Sequence, residues 1–227
     1  MMLESALLVL GGYLLGSIPT AYLAGRWLGK LDLRSYGSGT VSGSMIFEHV
    51  ARWAVVPVGL FDMAKAACPA WLALQLDLGM PTAAAAGLAA VAGHNWPVYL
   101  RFTGGRGLGT FMGMLLPIFP WGFPWMLFFL AVGWRLGDSA PWALAGMVSL
   151  PVLSTLIDGP AVVLPTAAVM LLLTLGKRLE ANRRPLPPPG DPERRRVILR
   201  RMLLDRDIAA HEEWIRRTPD EPPLAEP

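Results

Sequence analysis

This sequence is short of the residues that soluble enzymes use for covalent and metal chemistry. Cysteine occurs once, at Cys68, so no intramolecular disulfide can form, and a lone thiol in an apolar segment reads as packing. The three histidines, His49, His94 and His211, are scattered, and neither a metal site nor a cofactor is expected. Charge is scarce too, at 16% of residues against about a quarter in a soluble domain. The first ten residues hold no Lys or Arg, which argues against a cleaved signal peptide. The basic residues are not interleaved with exposed aromatics, which argues against a nucleic-acid module and against nucleic acid as a partner.

What fills the space is hydrophobic sequence. Hydrophobic residues make up 53% of the chain, and charge clusters in short connectors and in the last quarter. Apolar runs with few or no charges over 5–28, 53–76, 82–99, 108–119, 121–136, 140–157 and 161–176 read as membrane spans. The run over 108–119 is short for a bilayer that needs ~20 residues. The expected fold is therefore all-α, a polytopic membrane protein of about seven transmembrane helices. Arg26, Lys30, Arg34, Arg52, Arg101, Arg106, Arg135, Lys177, Arg178, Arg183 and Arg184 lie beside alternate connectors. Those near Asp77, Pro120 and Asp158 carry no Lys or Arg. The positive-inside rule then places the N-terminus outside and the C-terminus in the cytoplasm, the chain being multi-pass. Three units follow: a transmembrane domain over 1–184, a Pro-rich linker over 185–190, and a charged tail over 191–227. Residues 191–217 read as one amphipathic helix, with Val197, Leu204, Ile208 and Ile215 on a stripe. Its arginines suit anionic lipid headgroups. The end from Thr218 reads as disordered.

Three stretches carry chemistry. Gly93-His94-Asn95-Trp96-Pro97 runs into Phe102-Thr103-Gly104-Gly105-Arg106-Gly107. Backbone N–H groups in such a glycine turn can converge on an anion, a following helix N-terminus adds partial positive charge, and Arg106 can fork onto phosphate oxygens. The same stretch also reads as a flexible connector. A second loop, Gly37-Ser38-Gly39-Thr40-Val41-Ser42-Gly43-Ser44, offers hydroxyls and bare N–H groups. In the second span Asp62 and Lys65 stand at i, i+3 on one helix face, where ionisable groups either line a polar site or pair to fix helix packing. Ser17-Ile18-Pro19-Thr20 predicts a kink in the first span.

Together these stretches resemble the integral-membrane acyl-phosphate:glycerol-3-phosphate acyltransferases of bacteria. The likeness rests on Gly16 to Pro19, Asp32, Arg34 and Gly37 to Gly39; on Asp62 and Lys65; and on Gly93, His94, Pro97, Phe102, Gly104, Gly105, Arg106 and Gly107. It implies transfer of an acyl group from acyl phosphate to the 1-hydroxyl of glycerol 3-phosphate, giving lysophosphatidic acid for phospholipid biosynthesis. Ser38, His94 and Arg106 would be catalytic. Gly37, Gly39, Thr40, Ser44, Asp62, Lys65, Asn95, Gly104, Gly105, Gly107, Ser139 and Asn182 would bind substrate. The sequence departs from the family pattern at Met45 and Ala181, where the family has asparagines, and at Glu48, where it has an arginine. Arg106 replaces a lysine, and Asn182 stands one position late. These departures keep open a second reading, a non-catalytic or altered-acceptor paralogue that binds lipid or anions. No Gly-x-Ser-x-Gly elbow and no His-x-x-x-x-Asp pair supplies a protein nucleophile.

Overall fold

The computed structural model describes residues 1–218; residues 219–227, which hold most of the end expected to be disordered, lie outside the described residues. Among the described residues the chain is all-helical, with eleven α-helices and no strand. The first apolar run forms α1 (Met2–Gly16), breaks, and resumes as α2 (Thr20–Ala24), which widens into a π-type turn over Gly25–Gly29. The break is at Pro19, whose nitrogen has no hydrogen to donate and whose ring displaces the preceding residue from helical geometry. A short α3 (Gly43–His49) follows the first polar loop. The bundle continues with α4 (Val55–Gln75), α5 (Gly79–Asn95), α6 (Leu108–Ile118), α7 (Gly122–Arg135), α8 (Ser139–Leu156) and α9 (Val163–Glu180).

Three of these stretches, Met2–Gly29, Arg52–Gln75 and Ser139–Leu156, are long and apolar enough to cross a bilayer. By contrast α6, with 11 residues, rises only ~16 Å. Small residues let the bundle close. Ala66, Ala70 and Ala73 of α4 share one core with Ala83, Ala84 and Ala90 of α5. Where α5 crosses α1, a methyl group on Gly93 would lie 2.2 Å from the Tyr13 carbonyl oxygen, so only glycine fits. Large apolar side chains point outward instead, Leu156 and Leu172 being 77% and 69% exposed. Apolar surface of this extent marks contact with lipid. Cys68 also faces outward from α4, not into the packing expected of it.

The tail departs from its expected single helix. It forms α10 (Pro192–Leu204) and α11 (His211–Arg216), separated by a turn that begins with Asp205 in the left-handed conformation (φ 56°). The turn interrupts the predicted stripe, of which Val197 is buried and Leu204, Ile208 and Ile215 are half-buried. Val197 and Arg201 face inward, while Leu199 and Leu203 are exposed. Arg201 donates to the carbonyls of Leu179, Arg184 and Pro185 and to Asp207. Arg206 binds Asp138 at 2.7 Å, and Arg178 of α9 donates to the Met202 carbonyl at 2.8 Å. The bond to Leu179 satisfies a carbonyl left open at the end of α9, and that to Met202 one at the end of α10.

Candidate active site

The first polar loop starts at Asp32, which caps a single turn over Leu33–Ser35 and clasps Arg34 at 2.6 Å and 2.9 Å. The guanidinium of Arg34 holds the Asp32 carboxyl below the usual carboxylate range. The chain then turns through Gly37 and Gly39, both at positive φ. Beyond them alternate residues present a row of hydroxyls: Ser38 to Thr40 at 2.7 Å, Thr40 to Ser42 at 2.9 Å, and Ser42 to Ser44 at 3.0 Å.

The glycine-rich loop folds back onto the end of α5. The Gly105 N–H donates to the His94 carbonyl at 3.1 Å, and the Gly104 carbonyl accepts from the Val41 N–H at 3.3 Å. A methyl group on Gly105 would stand 2.1 Å from His94 Nε2. Glycine is thus needed here for close packing, and the Gly105 N–H is already engaged within the protein. Asn95 is wholly buried beside Gly107, and its amide has no hydrogen-bond partner among the described residues.

The third stretch explains the displaced asparagine. After α9 the residues Ala181, Asn182 and Arg183 are all left-handed, with φ 47°, 54° and 65°. Such a run is costly for residues with a Cβ. It swings Asn182 so that its Nδ2 donates to the Gly39 carbonyl at 2.8 Å and to the Gly104 carbonyl at 3.1 Å. One side chain therefore joins all three stretches.

At their seam opens a cleft of about 520 Å³ whose walls include Arg34, Ser35, Ser38, Thr103, Arg183 and Arg184, with Gly39 and Asn182. Its charge is mainly cationic. Arg34 is matched by Asp32, whereas among the described residues Arg184 has no carboxylate nearer than Asp207 at 3.8 Å. Burial, with Arg217 close by, pushes Arg184 down to about 10. It stays protonated at neutral pH, and an entering anion would relieve the crowding of like charge. Arginines and hydroxyls around an open cleft are the donors that a phosphate monoester needs.

Other residues singled out from sequence lie elsewhere. Asp62 and Lys65 form a buried cluster: Lys65 Nζ binds Asp62 at 2.7 Å, Thr20 Oγ1 at 3.1 Å and the Ile18 carbonyl, and Thr20 also donates to Asp62. His94 Nδ1 lies 3.6 Å from Asp62. Beside them is a void of about 10 Å³, lined by Gly16, Thr20 and His94 among others, room for about one water. Lys65 thus adds a second donor to the Ile18 carbonyl at the helix break, which also accepts from the Thr20 N–H at 3.1 Å. Arg106 is not among the cleft-lining residues. It ion-pairs with Asp205 at 2.7 Å and donates to the Lys177 carbonyl at 3.2 Å. Ser139 Oγ donates to the Leu130 carbonyl, away from the cleft. Met45 is buried with Ala21, Leu33 and Ile46. The reversed charge of Glu48 meets Arg216 at 3.2 Å. Thr20, Thr103, Arg183, Arg184 and Asp205 were not picked out as site residues by sequence. Only Arg183 and Arg184 left a signal, as a basic pair after the last apolar run.

A family model described as glycerol-3-phosphate acyltransferase matches residues 6–184. A relative named glycerol-3-phosphate acyltransferase 4, from Dehalococcoides mccartyi (strain CBDB1), is 34% identical over 221 residues, covering 93% of each chain. Another glycerol-3-phosphate acyltransferase, from Synechococcus sp. (strain CC9902), is 37% identical over 176 residues, covering 77% of this chain and 88% of its own. Among solved structures, the glycerol 3-phosphate form of PlsY (YgiH), an integral membrane glycerol 3-phosphate acyltransferase, superposes with a TM-score of 0.71 at 26% identity. That match covers 78% of this chain and 89% of the other. On this extent of match the chain belongs to the glycerol-3-phosphate acyltransferase family.

Proposed function

We propose that this protein is a membrane acyltransferase that moves an acyl group from acyl phosphate to the 1-hydroxyl of glycerol 3-phosphate. The observation that carries the reading is the open cleft where Ser38, Arg34, Arg183 and Arg184 meet at the junction of three loops. The substrate hydroxyl oxygen attacks the acyl carbonyl carbon, the bond from that carbon to the phosphate oxygen breaks, and a substrate phosphate takes the hydroxyl proton. Lysophosphatidic acid and inorganic phosphate leave. The protein supplies no nucleophile; it holds two anions together among cations and hydroxyls, where proximity and charge stabilisation act.

In this reading Ser38 meets substrate directly. His94 and Arg106 act on the loops from behind, His94 against Gly105 and Arg106 between Lys177 and Asp205. Asp62 and Lys65 fix the helix break that borders the site. About seven spans, with the N-terminus outside, would place the cleft on the cytoplasmic side of a bacterial plasma membrane. The exposed face of α10, with Arg195, Arg196, Leu199 and Leu203, suits anionic headgroups at that surface.

The test is purified protein given palmitoyl phosphate and radiolabelled glycerol 3-phosphate. Labelled lysophosphatidic acid that disappears in Ser38→Ala is expected; no product from the wild type would remove the proposal. The pairing of Arg106 with Asp205 favours a second reading, binding of lipid or anions without transfer. That reading gains if the protein binds phospholipid yet neither it nor Asp205→Asn turns over.

A further inference from the structure

The match to the family model stops at residue 184, and the tail beyond it reaches each of the three loops. Asp205 binds Arg106 of the glycine-rich loop. Arg201 and Asp207 hold the left-handed turn, Arg201 by donating to the Arg184 carbonyl at 3.2 Å. The segment around α11 lies along the first loop. The Gly37 N–H donates to the Arg217 carbonyl at 2.8 Å, and Arg217 Nη2 donates back to the Gly37 carbonyl at 2.8 Å. His49 Nε2 meets the Ile215 carbonyl at 2.8 Å.

At the centre of these contacts is Trp214, 5% exposed. Arg217 lies over its ring at 4.0 Å and Arg184 at 4.3 Å. Two guanidiniums within about 6 Å of one indole are attracted by the negative faces of the ring. The ring offsets some of their mutual repulsion and fixes both planes. Arg184 is a wall of the cleft; Arg217 holds Gly37, the residue before Ser38. Trp214 itself is not among the residues lining the cleft.

We infer that Trp214 is a positioning residue for the substrate phosphate, holding Arg184 toward the cleft and, through Arg217, the backbone that carries Ser38. This rests on the proposal that the cleft takes glycerol 3-phosphate, and it makes the tail part of the site.

The experiment uses the full chain in detergent and measures glycerol 3-phosphate affinity by calorimetry, with melting temperature alongside. Trp214→Leu keeps an apolar body without a ring, and Trp214→Phe keeps a ring. Loss of the stack in Trp214→Leu is expected to weaken affinity about tenfold, with Trp214→Phe near wild type. In turnover, KM for glycerol 3-phosphate should rise with kcat within about twofold, whereas a merely structural role would lower the active fraction and leave KM alone. Unchanged affinity in Trp214→Leu, equal weakening in both variants, or a wild type that binds no glycerol 3-phosphate would overturn the inference. A wild type that binds but transfers no acyl group would count against the proposed reaction and leave this inference standing.

Discussion

Two polar regions of this protein use the same residue types to opposite ends. In the cluster under the first helix break, Lys65 has three partners, Asp62, Thr20 and the Ile18 carbonyl, and is 2% exposed. In the loop cleft, Arg184 meets Asp207 only at 3.8 Å among the described residues and borders about 520 Å³ of open space. The lesson is that a charge within a membrane bundle is read by its partners. A cation whose donors are all engaged by protein is a structural pin; one facing open volume awaits an anion.

The sharpest way to break the comparison is Lys65→Met. It leaves Asp62 buried without its cation and takes one of two donors from the Ile18 carbonyl, so a loss of ~3–5 kcal/mol of stability is expected. Thermal unfolding in detergent measures it, and Asp62→Asn combined with Lys65→Met should recover part of the loss. If Lys65→Met kept the wild-type melting temperature and lost only substrate affinity, the pin would be a binding residue. Arg184→Ala should do the reverse. Removing a charged hydrogen bond worth ~1.5–3 kcal/mol should raise KM for glycerol 3-phosphate about tenfold to a hundredfold, with little change in melting temperature.

Much of this was legible beforehand. The kink at Pro19, the paired Asp62 and Lys65, and the two glycine-rich loops each follow from local chemistry. Their grouping was not. The link between Pro19 and Lys65 runs across 47 residues, and no periodicity encodes which carbonyl an ammonium will find. Arg106 looked like the phosphate ligand because its loop is glycine-rich, but its partner Asp205 lies 99 residues on. Ser139 resembled a site serine by position, yet it opens α8 and turns to Leu130. Asn182 stands one position late against the family pattern, and the left-handed turn over residues 181–183 still brings its amide to Gly39 and Gly104.

Two smaller effects sharpen the contrast at the seam. Asn182→Ala removes both bonds that join Gly39 to Gly104, with an expected cost of ~1–3 kcal/mol, and should raise KM as the loops part. Ala181→Gly relieves a left-handed residue at φ 47° and should stabilise by ~1 kcal/mol, read as a rise in melting temperature.

The most direct measurement places a reporter in the cleft. Ser35→Cys, in a Cys68→Ala background so that it carries the sole thiol, is labelled with a small thiol reagent with and without glycerol 3-phosphate. Occupancy of the cleft by the phosphorylated substrate predicts at least about a tenfold fall in labelling rate at saturation. An unchanged rate at concentrations that support turnover would place the substrate elsewhere and contradict the account.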